Sequence, residues 1–145
     1  HCIAVDPWFI VSEFPEESQV IRKAREVNNY KTEWAIEKVK SAALQFKVDK
    51  GRDAIIACMG LAFKPDIDDL RESPALYLTE QLEEQNFQVL RVEPNVESDE
   101  QMTLYGITDA IEKADMIVFL VAHNEFKNLT VPTEMGVLDF VGLDN

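Results

Sequence analysis

Two cations and three aspartates crowd into the segment FKPDIDDLRESP at 63–74. Lys64 offers a compact point charge and Arg71 a planar fork. Ser73-Pro74 has the N-cap and first-turn chemistry of a helix start, which leaves free backbone N–H groups close by. Together these groups make a site for phosphate or another anion. The charges alone leave a plainer alternative open, in which Lys64 and Arg71 pair with Asp66, Asp68 and Asp69 on the surface and bind nothing.

Cys2 and Asp6 form a second candidate pair. A thiolate is a strong nucleophile toward carbonyl carbon, and a carboxylate a few residues away can order a water or a proton transfer. Taken alone, the pair is better read as a loop cysteine without a role. Cys58, inside an apolar run, reads as a small core residue. Neither cysteine has a second Cys or His at metal-ligand spacing, so no metal site is expected, and His1 and His123 gain no role from spacing. No G-x-G-x-x-G occurs, so the chain carries no dinucleotide fingerprint of its own.

These residues must be positioned by a chain of 145 residues, 46% apolar and 28% charged, enough for one core with some attached helix. The formal net charge of −13 disfavours nucleic acid and anionic lipid as partners, and an anionic ligand would need a local cationic pocket. The apolar runs fall short of the roughly 20 residues that span a bilayer. The first residues lack the pattern of a signal peptide, and cytoplasmic residence is the expectation. The opening on His-Cys without a starting methionine reads as a piece of a longer protein.

Residues 1–14 read as a loop bracketed by Pro7 and Pro15. Residues 16–47 carry apolar positions at helical spacing, in two helices broken at Asn28-Asn29, with Lys50-Gly51 as the stop. The apolar run 54–63 reads as a strand buried on both faces. A helix from Ser73-Pro74 to about 86 follows, with Ala75, Leu78 and Leu82 on one face. Then come a strand at 89–92, an acidic solvated loop at 93–101, a short helix at 108–114 and strands at 116–121 and 137–140. Alternating strands and helices predict an α/β fold, a Rossmann-like open parallel sheet preceded by a helical connector, with ligands beyond the strands' carboxyl ends.

The two motifs together resemble the NAD-dependent nucleotide-sugar 6-dehydrogenases, the UDP-glucose and GDP-mannose dehydrogenase group. That family has a catalytic cysteine with an aspartate four residues on, as at Cys2 and Asp6. It has an Arg-x-x-Asn element like Arg25 to Asn28. It also has the pattern G-x-x-F-K-x-x-x-D-D-x-R-x-S-P, which Gly60, Phe63, Lys64, Asp68, Asp69, Arg71, Ser73 and Pro74 fit. The resemblance covers the whole chain and corresponds to roughly the second half of such an enzyme. HCIAVDPWFI is similar to the branch that oxidises UDP-N-acetylmannosamine. Ile3-Ala4-Val5 replace the lysine-bearing variant of the UDP-glucose branch. The Arg that many relatives place before the final strand is absent from 133–136.

The resemblance implies 1–14 as the end of a catalytic cysteine loop, 15–50 as a connector that packs against its twin in a homodimer, and 51–145 as a UDP-sugar-binding domain. It implies Cys2 as the nucleophile of a thiohemiacetal and thioester, with Asp6 positioning water or a proton. Phe63, Lys64 and Arg71 would hold the UDP-sugar, Arg71 either on the ligand or bracing the loop. NAD would be bound mainly by residues outside this sequence, and the fragment alone would bind UDP-sugar without turning it over. The rival expectation is a phosphoacceptor-like regulatory module in which Asp66, Asp68 and Asp69 gather Mg²⁺ beside Lys64.

Overall fold

The computed structural model describes residues 2–97 and 102–143. In chain order it contains α1 (Cys2–Glu13), α2 (Gln19–Lys50), β1 (Ile55–Met59), α3 (Pro74–Glu84), β2 (Gln88–Val92), α4 (Ile107–Lys113), β3 (Met116–Phe119), a 3-10 turn (Asn124–Phe126) and β4 (Gly136–Asp139). The four strands form one parallel sheet in the order β2-β1-β3-β4. The α/β expectation and the parallel sheet hold.

Successive residues of a strand face opposite sides of a sheet, and the two faces here are covered by different helices. On one face Ile56, Cys58, Met116 and Val118 pack with α3 and with Ile36 and Val39 of α2. On the other, Ala57, Met59, Ile117 and Phe119 pack with Ala110 of α4 and Phe126. Both central strands are therefore apolar at nearly every position, as the run at 54–63 predicts. The strand itself ends at Met59, and the rest of that run belongs to the loop.

Three local expectations are corrected. Residues 2–13 are helix where a loop was expected, with Pro7 inside. A proline there removes one backbone bond, and burial of Val11 anchors the segment in spite of it. Phe14 N–H to Ile10 C=O (2.9 Å) and Ser18 N–H to Phe14 C=O (3.0 Å) carry the pairing on toward α2. The second correction is that Asn28 and Asn29 do not break α2, which runs unbroken over 32 residues, about 48 Å. Asn29 turns its side chain along the helix to accept from Arg25 Nη2 at 3.3 Å, so it does not compete with the backbone. Gly51 ends the helix at φ +73°, its N–H bonded to the Lys47 carbonyl.

The third correction falls at 93–97. Glu93 is not part of a solvated loop: it is 4% exposed, because its carboxylate turns inward onto backbone N–H groups. Residues 98–101 of the expected acidic loop, and His1, lie outside the described residues.

Candidate functional site

The loop at 60–74 leaves β1 at the carboxyl end of the sheet. Gly60 stands at φ +89°, and a Cβ there would lie 2.6 Å from Val121 Cβ. Its N–H donates to the Val92 carbonyl at 2.8 Å, while Leu120 N–H reaches the Met59 carbonyl at 2.9 Å. Only glycine fits between two neighbouring strand ends drawn this close. Further on, Phe63 N–H closes the loop on the Asp69 carbonyl at 2.8 Å. Ser73 Oγ accepts from Leu76 N–H and Pro74 takes the first helical position, as the sequence predicts.

The two cations of the loop have separate fates. Arg71 donates Nε to Asp69 Oδ1 and Nη2 to Asp69 Oδ2, both at 2.8 Å, and its backbone N–H to Oδ1 at 3.0 Å. These bonds hold the Asp69 carboxyl well below the usual carboxylate range, and Asp69 in turn raises the guanidinium. Lys64 is exposed, its Nζ 6.0 Å from the Phe63 ring centroid, and it makes no ion pair among the described residues. The surface-pairing alternative thus describes Arg71 and not Lys64.

The three aspartates do not converge. Asp66 accepts from Asn124 N–H (2.8 Å) and Asn124 Nδ2 (2.6 Å), while Asp69 grips Arg71. Asp66, His123 and Glu125 do bring ligand atoms within 4.8 Å of one another. Yet His123 Nδ1 already accepts the Asp66 N–H at 2.9 Å, which occupies the lone pair a cation would need.

Cys2 and Asp6 lie one turn apart on α1, which puts them on one helix face, and both are exposed. Beside them a cleft of about 620 Å³ opens between α1, α2 and the loop. Ile3 and Trp8 line it from α1, Arg25 and Asn28 from α2, and Phe63 and Ser73 from the loop side. The fold thus brings Phe63 to the cleft and the Cys2 end of α1 toward the loop, while Lys64 and Arg71 stand outside the cleft lining.

Sequence reasoning missed Glu93 and His123. Glu93 follows β2 and His123 follows β3, and each looked unremarkable without knowledge that these strands flank β1. In a doubly wound sheet an acid after the second strand is the residue that would bond a dinucleotide ribose. Here its Oε2 instead accepts from Leu61 N–H (2.7 Å) and Ala62 N–H (2.9 Å), so the groups present do not fit a dinucleotide at that place.

A parallel sheet with a lysine-bearing loop beyond its strand ends, leading into a capped helix, is the architecture of nucleotide-binding α/β domains. The chain belongs to the UDP-glucose/GDP-mannose dehydrogenase family: residues 57–139 match its UDP binding domain. It is 45% identical over 136 residues to the UDP-N-acetyl-D-mannosamine dehydrogenase of Escherichia coli (strain K12), covering 88% of this chain and 32% of that protein. It is 46% identical over 134 residues to the NDP-N-acetyl-D-galactosaminuronic acid dehydrogenase of Ralstonia solanacearum, covering 89% of this chain and 30% of the relative. The structure of a UDP-D-ManNAc dehydrogenase from Pyrococcus horikoshii superposes with a TM-score of 0.80 at 29% identity, over 100% of this chain and 35% of that one. The chain thus spans about a third of the length of the curated relatives it matches.

Proposed function

We propose that this chain is the nucleotide-sugar-binding part of an NAD-dependent UDP-sugar 6-dehydrogenase, with UDP-N-acetylmannosamine as the sugar nucleotide oxidised to its uronate. The observation that carries the reading is Lys64. In a chain of net charge −13 it is a cation without an ion pair among the described residues, at the carboxyl end of a parallel sheet. That is where such folds receive phosphates. In this reading Lys64 meets the diphosphate, Phe63 shapes the wall of the pocket, and Arg71 braces the loop through Asp69.

Cys2 is the nucleophile in this proposal. After a first hydride leaves C6, Sγ gives up its proton and adds to the resulting aldehyde as a thiohemiacetal. Loss of a second hydride leaves a thioester, and a water oriented by Asp6, one helical turn away, breaks the C–S bond to release the acid and restore the thiol. Exposure of both side chains on one helix face supports these roles. NAD supplies hydride acceptance when bound. Because Glu93 is turned onto Leu61 and Ala62, no dinucleotide-binding role is given to the sheet described above. Residues 15–50 serve as the connector and 51–145 as the UDP-sugar-binding part.

A homodimer through the connector completes the proposal. Val20, Val27 and Tyr30 are 82%, 58% and 67% exposed on α2, an apolar surface suited to burial against a second copy. Calorimetric titration with UDP and UDP-N-acetylmannosamine tests the binding reading. Saturable heat at up to millimolar ligand is expected from both, and no heat from either contradicts it.

A further inference from the structure

The loop at 60–74 is held from beneath by a buried pair. Glu93 and His123 both have side chains with 0% exposure, and Glu93 Oε2 lies 3.0 Å from His123 Nε2. The same oxygen accepts from Leu61 N–H and Ala62 N–H, and Oε1 accepts from Asn95 N–H at 3.0 Å. His123 Nδ1 lies 2.9 Å from the Asp66 nitrogen, and Asn95 Nδ2 approaches it at 3.0 Å. A backbone N–H can only donate, so Nδ1 accepts and Nε2 carries the ring proton toward Glu93. That bonding assigns one tautomer to the ring.

The pair therefore grips the loop at two points on either side of Lys64. Glu93 fixes Leu61 and Ala62 before it, and His123 fixes Asp66 after it. Asp66 is a non-glycine residue at φ +60°, a conformation that persists only when neighbouring groups enforce it. Asn124 adds a second hold through the Asp66 carboxylate. Phe63, Lys64 and Pro65 form the short span between the two grips.

We propose that Glu93 and His123 are positioning residues for the nucleotide, holding the Lys64 span in its binding form before ligand arrives. This rests on the reading that Lys64 meets a diphosphate. Preorganisation of this kind lowers the ordering cost of binding. Neither residue touches the ligand; each acts through the loop backbone.

Two variants separate the grips. His123→Asn keeps an oxygen near the Nδ1 position for the Asp66 N–H and loses the donor to Glu93. His123→Gln keeps an N–H near the Nε2 position and loses the acceptor for Asp66. Each variant lacks one buried bond, so comparable lowering of the thermal midpoint is expected. UDP affinity should split them: His123→Gln weakened about tenfold, His123→Asn within about threefold of the wild type. Affinities that fall together, in step with the midpoints, overturn the positioning role.

A measurement on the unaltered chain covers the case in which the variants do not fold. Amide exchange without ligand should show Asp66 protected to the same degree as Leu61 and Ala62. Rapid Asp66 exchange that slows only on adding UDP overturns the proposal. Failure of the wild type to bind UDP at all, with Asp66 protected, would instead overturn the nucleotide reading and with it the ligand role of the pair.

Discussion

Arg71 engages Asp69 with two side-chain bonds of 2.8 Å, whereas Lys64 in the same loop has no carboxylate partner among the described residues. A fork matches a carboxylate held two residues away, and a point charge on a flexible stem does not, so sequence spacing alone could not sort the two. The Asp69 pKa is depressed in the folded chain, chiefly by the Arg71 side chain, so its contribution is present above the ordinary value of about 4 and lost as pH falls through the lower folded value. Carboxyl carbon shifts should find Asp69 still ionised at about pH 3, and a midpoint near 4 would contradict the pairing. Gly60 makes a second prediction at this scale. Substitution by Ala puts a side chain at φ +89° against Val121 and should cost roughly 2–4 kcal/mol in chemical denaturation. A change under about 0.5 kcal/mol would show that the strand ends can part there.

Among the elements, the strands and α3 were legible because their signals are local: an apolar run, a Ser-Pro start, a face of Ala75, Leu78 and Leu82. Helix α1 and the unbroken α2 were not. Pro7 is a sizeable local penalty and Asn28-Asn29 a small one, and both helices form in spite of them. The inward turn of Glu93 was also hidden, since it depends on β2 lying beside β1, a long-range pairing. The same packing makes a prediction about α2. Ala35, Ile36, Val39 and Ala43 are all buried in the core beside β1 and β3. A chain beginning at Gly51 uncovers that face of the sheet and should lose its cooperative thermal transition, while one beginning at Asn28 keeps it. A sharp transition from the shorter chain would contradict the packing role of α2.

For the molecule as a whole the formal charge is −13; among the described residues Lys64 stands unpaired in a loop that is itself net acidic, and no helix is long and apolar enough to cross a membrane. The sequence placed the candidate loop beyond the carboxyl end of β1, where it lies, because the order of strand, loop and helix is a local signal in open parallel sheets. It could not show which cation is paired, or that a buried acid and histidine underlie the loop. The proposed connector contact is tested by Val27→Glu: sedimentation should shift from dimer to monomer with UDP affinity unchanged, and a monomeric wild type would contradict the dimer. The most direct test of the central claim is the dissociation constant for UDP measured on the wild type and on Lys64→Ala under identical salt. Saturable wild-type binding, weakened about tenfold or more in Lys64→Ala at an unchanged thermal midpoint, is the predicted result. Equal affinity in the two chains, or no binding by either, would contradict it.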